Sequence, residues 1–321
     1  MTALVAAIVL AVILIGGYFG YYAAVVLPDI RAISDEVILS AGDTRAVACS
    51  FVPMPTGSAY AGALYEQAVG LDRGGDRFVI DDLEAFARRS KPARPKAEVN
   101  PAAINLVRRA AACRSATLPG DSLTRAMGRA GLGTSPGSTD IVRALSRFGV
   151  ALVGAGEVHA AANRRQAARS DFDKAYNVGR HLAMGAADVE AYRLSIAVRR
   201  MASAGLEELA NTDPNPDEPR AKEIDRHLRM LATLSRSIES KWMFVQGSHP
   251  EQVGAAARVA RDDKDVVWRR EAVIGLIRLS RLRPTSAPHA WLIRRRARAE
   301  LARLAHDPDE IVAGLASAAL K

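Results

Sequence analysis

Apolar residues recur with a helical period along most of this 321-residue chain. From residue 139 to the end they repeat about every 3.6 residues, with breaks at 211–219 and 283–288. No run of alternating polar and apolar residues extends beyond a few positions. Alanine is abundant and aromatic residues make up only 5% of the chain, a composition that favours closely packed helices. The sequence therefore predicts an all-α protein without a sheet.

The N-terminal segment 3–27 contains no charged residue. At about 1.5 Å per helical residue it is longer than the roughly 30 Å hydrocarbon core of a bilayer. It is also too long for the core of a signal peptide, which has about 7–15 residues. We therefore expect a single uncleaved transmembrane helix and a single-pass protein of the cell membrane. A short N-terminal tail before a long body favours an extracytoplasmic location for that body.

Small residues are spaced four apart within this apolar segment, at Gly16, Gly20 and Ala24. Such spacing lets two helix backbones approach closely inside a bilayer. The pattern predicts either self-association of the transmembrane helix or its pairing with a helix of another membrane protein.

Small and aromatic residues are regularly placed within residues 152–175. Ala168 and Ala175 flank Phe172, and Gly156 precedes them on the other side of a turn at Asn163. This spacing resembles one tetratricopeptide helical hairpin, in which the small residues let two helices touch and the aromatic ring fills the gap between them. The sequence departs from that family because His159 occupies an aromatic position and Arg180 stands where proline is usual.

A second pattern repeats after 44 residues near the C-terminus, where Asp263 and Asp307 begin corresponding stretches. The spacing resembles HEAT-type repeats, whose period is about 40–47 residues. In both copies the acidic residues are expected to cap a helix N-terminus. Matching residues of the first copy are Asp265, Trp268, Arg269, Ala272, Gly275 and Leu276, and those of the second are Asp309, Val312, Ala316, Ala319 and Leu320. Ala313 replaces the family's arginine in the second copy.

These resemblances imply an irregular α-solenoid, because repeats of this kind bury their apolar faces only by stacking. Trp268 should face a neighbouring helix. The predicted units are an anchor (1–28), a helical subdomain (29–118), a loop or linker rich in Gly, Ser and Pro (119–139), a tetratricopeptide-like region (140–245) and HEAT-like repeats (246–321).

Signatures of catalysis, metal binding and cofactor binding are absent from the sequence. The segment 154–159 lacks the third glycine of a dinucleotide-binding loop. The segment 213–224 lacks the glycine and the final glutamate of a calcium loop. The six histidines are scattered without metal-ligand spacing. No catalytic residue, metal or cofactor is therefore predicted.

The two cysteines, Cys49 and Cys113, leave two alternatives open. They form one disulfide if the body of the protein lies in an oxidising compartment. Otherwise they are two separate buried thiols.

The chain has a formal net charge of +9, mostly from arginine. Arg294, Arg295 and Arg298 follow Trp291 on a predicted helix, and neighbouring guanidinium groups can grip carboxylates or phosphates. We expect a candidate interaction surface there. The alternative is an ordinary solvated face with a salt bridge to Glu300 or Asp309.

The predicted function is a membrane-tethered scaffold or adaptor that binds a protein or peptide partner, because helical-repeat surfaces usually recognise proteins. One alternative is a helical enzyme, or a regulatory subunit of a membrane enzyme, with an unrecognised site. A third is attachment to anionic lipid or nucleic acid. Nucleic acid is disfavoured because no recognition motif and no interleaved aromatic residues accompany the basic residues.

Overall fold

A computed structural model describes residues 14–18, 51–52, 54–72, 83, 97–116, 122–133, 139–186, 188–213, 218–249, 252–283 and 290–321. Most of these residues are helical. The helices, beyond a short turn at 14–18, are α1 (Ala61–Leu71), α2 (Pro101–Ala110), α3 (Ser122–Arg129), α4 (Thr139–Ala161), α5 (Arg165–Met184), α6 (Val189–Asn211), α7 (Glu218–Val245), α8 (Val253–Asp262), α9 (Val266–Ser280), α10 (Ala290–Leu304) and α11 (Glu310–Leu320).

The predicted membrane localisation is contradicted. Across the described ranges, none of the helices combines the length and the apolar character needed to cross a bilayer. The long helices α4 to α7 all carry charged residues along their length, whereas a span needs about 20 predominantly apolar residues. Of the predicted span 3–27, only residues 14–18 are described. Gly16 has open space around it, and Gly20 and Ala24 lie outside the described residues.

A small parallel sheet departs from the prediction of helices alone. Strand β1 (Gly57–Tyr60) pairs with β2 (Cys113–Ser115), and both lie in the segment 29–118 that was predicted as a helical subdomain. The two strands are too short to show an alternating pattern. A Cβ atom on Gly57 would lie 2.7 Å from the carbonyl oxygen of Ala112, so glycine permits the close approach of the two backbones.

Consecutive helices pack against each other along the chain, an arrangement compatible with a helical-repeat fold. Helices α4, α5, α6 and α7 contact in sequence, and α8, α9, α10 and α11 do the same. Helix α9 also contacts α6 and α7, which joins the two groups. Helix α3 lies within the segment 119–139 that was predicted as a linker, and it packs on α11 and α9.

The ring of Phe172 lies between α4 and α6. A Cβ atom would come within 2.6 Å of this ring at Gly156 and within 2.4 Å at Gly205. Ala168 and Ala175 are fully buried beside it on α5. Asn163 connects α4 to α5 with a φ of 56°, a left-handed conformation that asparagine tolerates better than most residues.

The two C-terminal acidic pairs have the same local geometry. Asp263 accepts a hydrogen bond from the backbone N–H of Asp265, and Asp307 accepts one from that of Asp309, both at 2.9 Å. Asp265 and Asp309 in turn cap α9 and α11 through their side chains. Trp268 is buried at the start of α9, where Lys241 Nζ lies 4.7 Å from its ring centroid.

Each acidic pair is also bound to the preceding helices. Lys241 on α7 lies 2.5 Å from Asp263. Arg269 and Arg270 on α9 pair in the same way with Asp307 and Asp309. The pattern of caps and cations thus links successive helix pairs into one array.

Candidate functional site

Helix α10 is amphipathic, and its exposed side is basic. It carries five arginines and one glutamate. Ala297, Leu301 and Leu304 are buried against the array, as expected from their helical spacing. One side of the helix, offset from this buried stripe, carries the residues that we call the arginine face: Trp291, Arg294, Arg295 and Arg298.

The three arginines of this face have no carboxylate partner in the part of the chain that the structure describes. Arg295 and Arg298 are exposed, and Arg294 is half-buried. The ordinary alternative for such a cluster is a salt bridge to Glu300 or Asp309, and neither forms.

Both of these carboxylates are already bound elsewhere. Glu300 lies 3.2 Å from Arg303 and 3.8 Å from Arg261. Asp309 is gripped by two nitrogens of Arg270, at 3.1 and 2.7 Å. The pairs Arg270–Asp309 and Arg261–Glu300 therefore take up the two carboxylates that the sequence offered as partners for the arginine face.

Apolar surface adjoins these charges. The side chain of Trp291 is 60% exposed and that of Leu292 is 46% exposed. An exposed tryptophan beside arginines is the composition found at the energetic centres of protein interfaces. The sequence analysis named Trp291 beside the arginines. It did not predict that Leu292 is exposed, because leucine is usually buried.

Other polar clusters are buried and serve to join helices. Two guanidinium nitrogens of Arg129 lie 2.8 and 2.9 Å from the carboxylate oxygens of Glu271 on α9. Trp242 Nε1 donates a hydrogen bond to the same carboxylate at 3.2 Å. Arg129 also lies 3.7 Å from Asp188. Burial lowers the pKa of Arg129, but attraction by Glu271 and Asp188 outweighs it, so the group stays charged. Sequence reasoning missed this cluster because its members lie far apart in the chain.

A buried tyrosine–histidine pair lies beside β2. His181 Nε2 donates to the carbonyl oxygen of Cys113 at 3.0 Å, and Tyr65 donates to His181 Nδ1 at 2.7 Å. Burial lowers the pKa of His181 to about 4. The thiol of Cys113 donates to the carbonyl oxygen of Arg109 at 3.6 Å. Cys49 lies outside the described residues, so the disulfide stays a prediction.

A second such pair joins α5 to α7. Tyr176 lies 2.7 Å from His227 Nε2 and accepts from Arg199 at 2.8 Å. The ring of Phe51 packs edge-on against both aromatic rings. Burial, with help from Arg199, lowers the pKa of His227 to about 4. All these groups are buried, so this cluster offers no access to a substrate.

An open groove of about 540 Å³ lies between α2 and α4. It is lined by Glu98, Asn105 and Arg108 with small apolar residues of α4. Arg108 is held by Asp171 at 3.0 and 3.1 Å, so its charge is compensated. Within the described ranges, no group of three or more His, Cys, Asp and Glu side chains is placed to hold a metal.

Comparisons with known proteins found no matching family model, no similar curated protein and no similar solved structure.

Proposed function

We propose that this protein is a helical-repeat scaffold that binds a protein partner through the arginine face of α10. The observation that carries the proposal is a set of arginines that have no carboxylate partner among the described residues and lie beside an exposed tryptophan. Elsewhere in the C-terminal array, charges such as Lys241 and Arg270 are paired within the chain. A partner that supplies carboxylates would complete the same pattern on α10.

Rigid support favours recognition at this surface. Ala290 and Ala297 are buried against the array, and Leu301 is fully covered, so packing fixes the orientation of α10. Because the backbone of this helix is already ordered, binding has to order only the exposed side chains.

Site-specific photocrosslinking in native cells tests the proposal. A photoreactive amino acid replaces Ala302, which is exposed on the same side of α10, so that every arginine is kept. The matched control carries it at Met230, which is 40% exposed on α7. We expect one protein adduct at position 302 that is absent at position 230. Adduct formation should fall when Arg298→Glu is added. Equal adduct patterns at both positions would contradict the proposal.

A further inference from the structure

The charge of the arginine face limits what can bind it. Each guanidinium presents N–H donors in a planar fork that matches the two oxygens of a carboxylate. Arg294, Arg295 and Arg298 lie within about one helical turn of each other and lack carboxylate partners among the described residues. A binding segment therefore gains by bringing at least two negative charges close together.

The spacing of these arginines matches an extended peptide. Residues four apart on a helix have Cβ atoms roughly 5–6 Å apart, which is the separation of Arg294 and Arg298 along α10. In an extended chain, alternate side chains point the same way and are about 6.6 Å apart. Two acidic residues at alternate positions can thus each meet one of these arginines.

The exposed ring of Trp291 indicates that a ligand of the arginine face also has an apolar part. Trp291 lies about one turn before Arg294 and Arg295, and its side chain is 60% exposed. A purely ionic ligand would leave this ring in water. An apolar side chain next to the acidic pair would cover it and add the burial that an exposed ion pair lacks.

Other anionic partners fit the face less well. A helix that lies on a membrane surface needs a continuous apolar face, but Arg295 and Arg298 interrupt the exposed side of α10. Single-stranded nucleic acid stacks successive bases on several aromatic rings, and Trp291 is the single aromatic residue of α10.

From this geometry we infer that the arginine face binds an extended acidic peptide segment with carboxylates at alternate positions and an apolar residue that covers Trp291. The inference rests on the proposed function and specifies its partner. Binding weakens as salt screens the exposed charges.

A labelled synthetic peptide tests the inference against the full chain. The probe alternates glutamate with serine over eight residues and ends in phenylalanine, and a second peptide has glutamine in place of glutamate. We expect the glutamate peptide to bind at least tenfold more tightly than the glutamine peptide at low salt. The variant Arg294→Glu/Arg298→Glu should lose this binding at least tenfold, and Trp291→Ala should weaken it several-fold.

The matched control is Arg226→Glu/Arg236→Glu, which makes the same change in net charge at two exposed positions of α7. It should bind the glutamate peptide as the parent does, and thermal melts check that all variants are folded. Equal binding of both peptides, or equal loss in both double variants, would overturn the inference. So would arginine-dependent binding of phosphatidylserine vesicles or oligo-dT without binding of the peptide. A crosslink at position 302 without peptide binding would refute this inference alone and leave the proposed function standing.

Discussion

At the scale of single residues, buried charges in this protein are neutralised over long sequence distances. Glu271 is 1% exposed, and its partner Arg129 is 142 positions away in the chain. Lys241 is 2% exposed and pairs with Asp263. Such pairs add little net stability over an apolar replacement, but removal of one partner leaves an uncompensated buried charge.

The substitution Glu271→Ala should therefore destabilise the protein by about 3–5 kcal/mol. Arg129 would keep its charge but lose its two close contacts with Glu271, so that Asp188 at 3.7 Å would be its remaining ion pair, and Trp242 would lose an acceptor. Chemical denaturation monitored by circular dichroism measures the change. The control Glu310→Gln alters an exposed glutamate and should cost less than about 1 kcal/mol. Equal midpoints for Glu271→Ala and the parent would refute the role of this cluster.

The buried histidines make stability depend on pH. The folded-state pKa of His181 is about 4, against 6.5 for the unfolded chain. The unfolded state therefore binds the proton more readily between these values, and stability falls as pH decreases from 6.5 to 4. Asp173 opposes this trend, because burial raises its folded pKa to about 6.

The substitution His181→Gln separates the effect of His181 from that of Asp173. A glutamine amide can accept the hydrogen bond from Tyr65 and donate one to the carbonyl oxygen of Cys113, but it does not titrate. Between pH 7 and pH 5, the parent should lose about 2 kcal/mol more stability than His181→Gln. Urea unfolding at both pH values measures this difference. His306→Gln, at an exposed position, should follow the parent. A parallel loss in the parent and His181→Gln would contradict the neutral, buried state of this imidazole.

At the scale of elements, the contact between the end of α7 and the middle of α9 has no room for a side chain. A Cβ atom on Gly275 would lie 1.8 Å from the carbonyl oxygen of Val245. A Cβ atom on Gly247, whose φ is 71°, would lie 2.2 Å from the carbonyl oxygen of Gly275. These glycines let the two backbones touch where α7 leads into the C-terminal helices.

The substitution Gly275→Ala should destabilise the protein by at least about 2 kcal/mol, although alanine is the better helix former. The backbone of Val245 cannot move away as a flexible side chain would. Gly254→Ala is the matched control, because its Cβ would meet only Arg296 at 3.8 Å, and it should leave stability equal or higher. Thermal melts of both variants measure the change in stability. If Gly275→Ala melts at the same temperature as the parent, the backbones of α7 and α9 can move apart with little loss of stability, and the prediction is wrong.

At the scale of the whole molecule, helices contact mainly their neighbours in sequence. Damage in such an array spreads less than in a globular core. Trp268 is 1% exposed in the C-terminal group, whereas Phe172 organises the packing between α4 and α6.

Trp268→Ala should cost about 3–5 kcal/mol and loosen residues 252–321 while the α4–α5 hairpin stays folded. Hydrogen exchange read by mass spectrometry reports the two regions separately. Arg295→Ala is the control and should change stability by less than about 0.5 kcal/mol. Equal loss of protection in both regions would show one cooperative unit instead of a modular array.

The sequence by itself determined the features that depend on neighbours within one or two helical turns. The helical period predicted the helical class; the break at 211–219 falls at the junction of α6 and α7, and the break at 283–288 falls between α9 and α10. The caps at Asp265 and Asp309 follow from side chains that reach N–H groups two or three residues away. These local rules could not reveal the β1–β2 pairing, because its strands are short and lie far apart in the chain.

Only the tertiary structure decided which charges remain available for a partner. The sequence shows that Arg294, Arg295 and Arg298 share a helix with Glu300, and local spacing would allow a salt bridge between them. In the folded protein, Glu300 forms salt bridges with Arg261 and Arg303 instead, and Asp309 forms one with Arg270. A charge is neutralised by whichever opposite charge the packing brings within reach, and in this protein that depends on how successive helices stack.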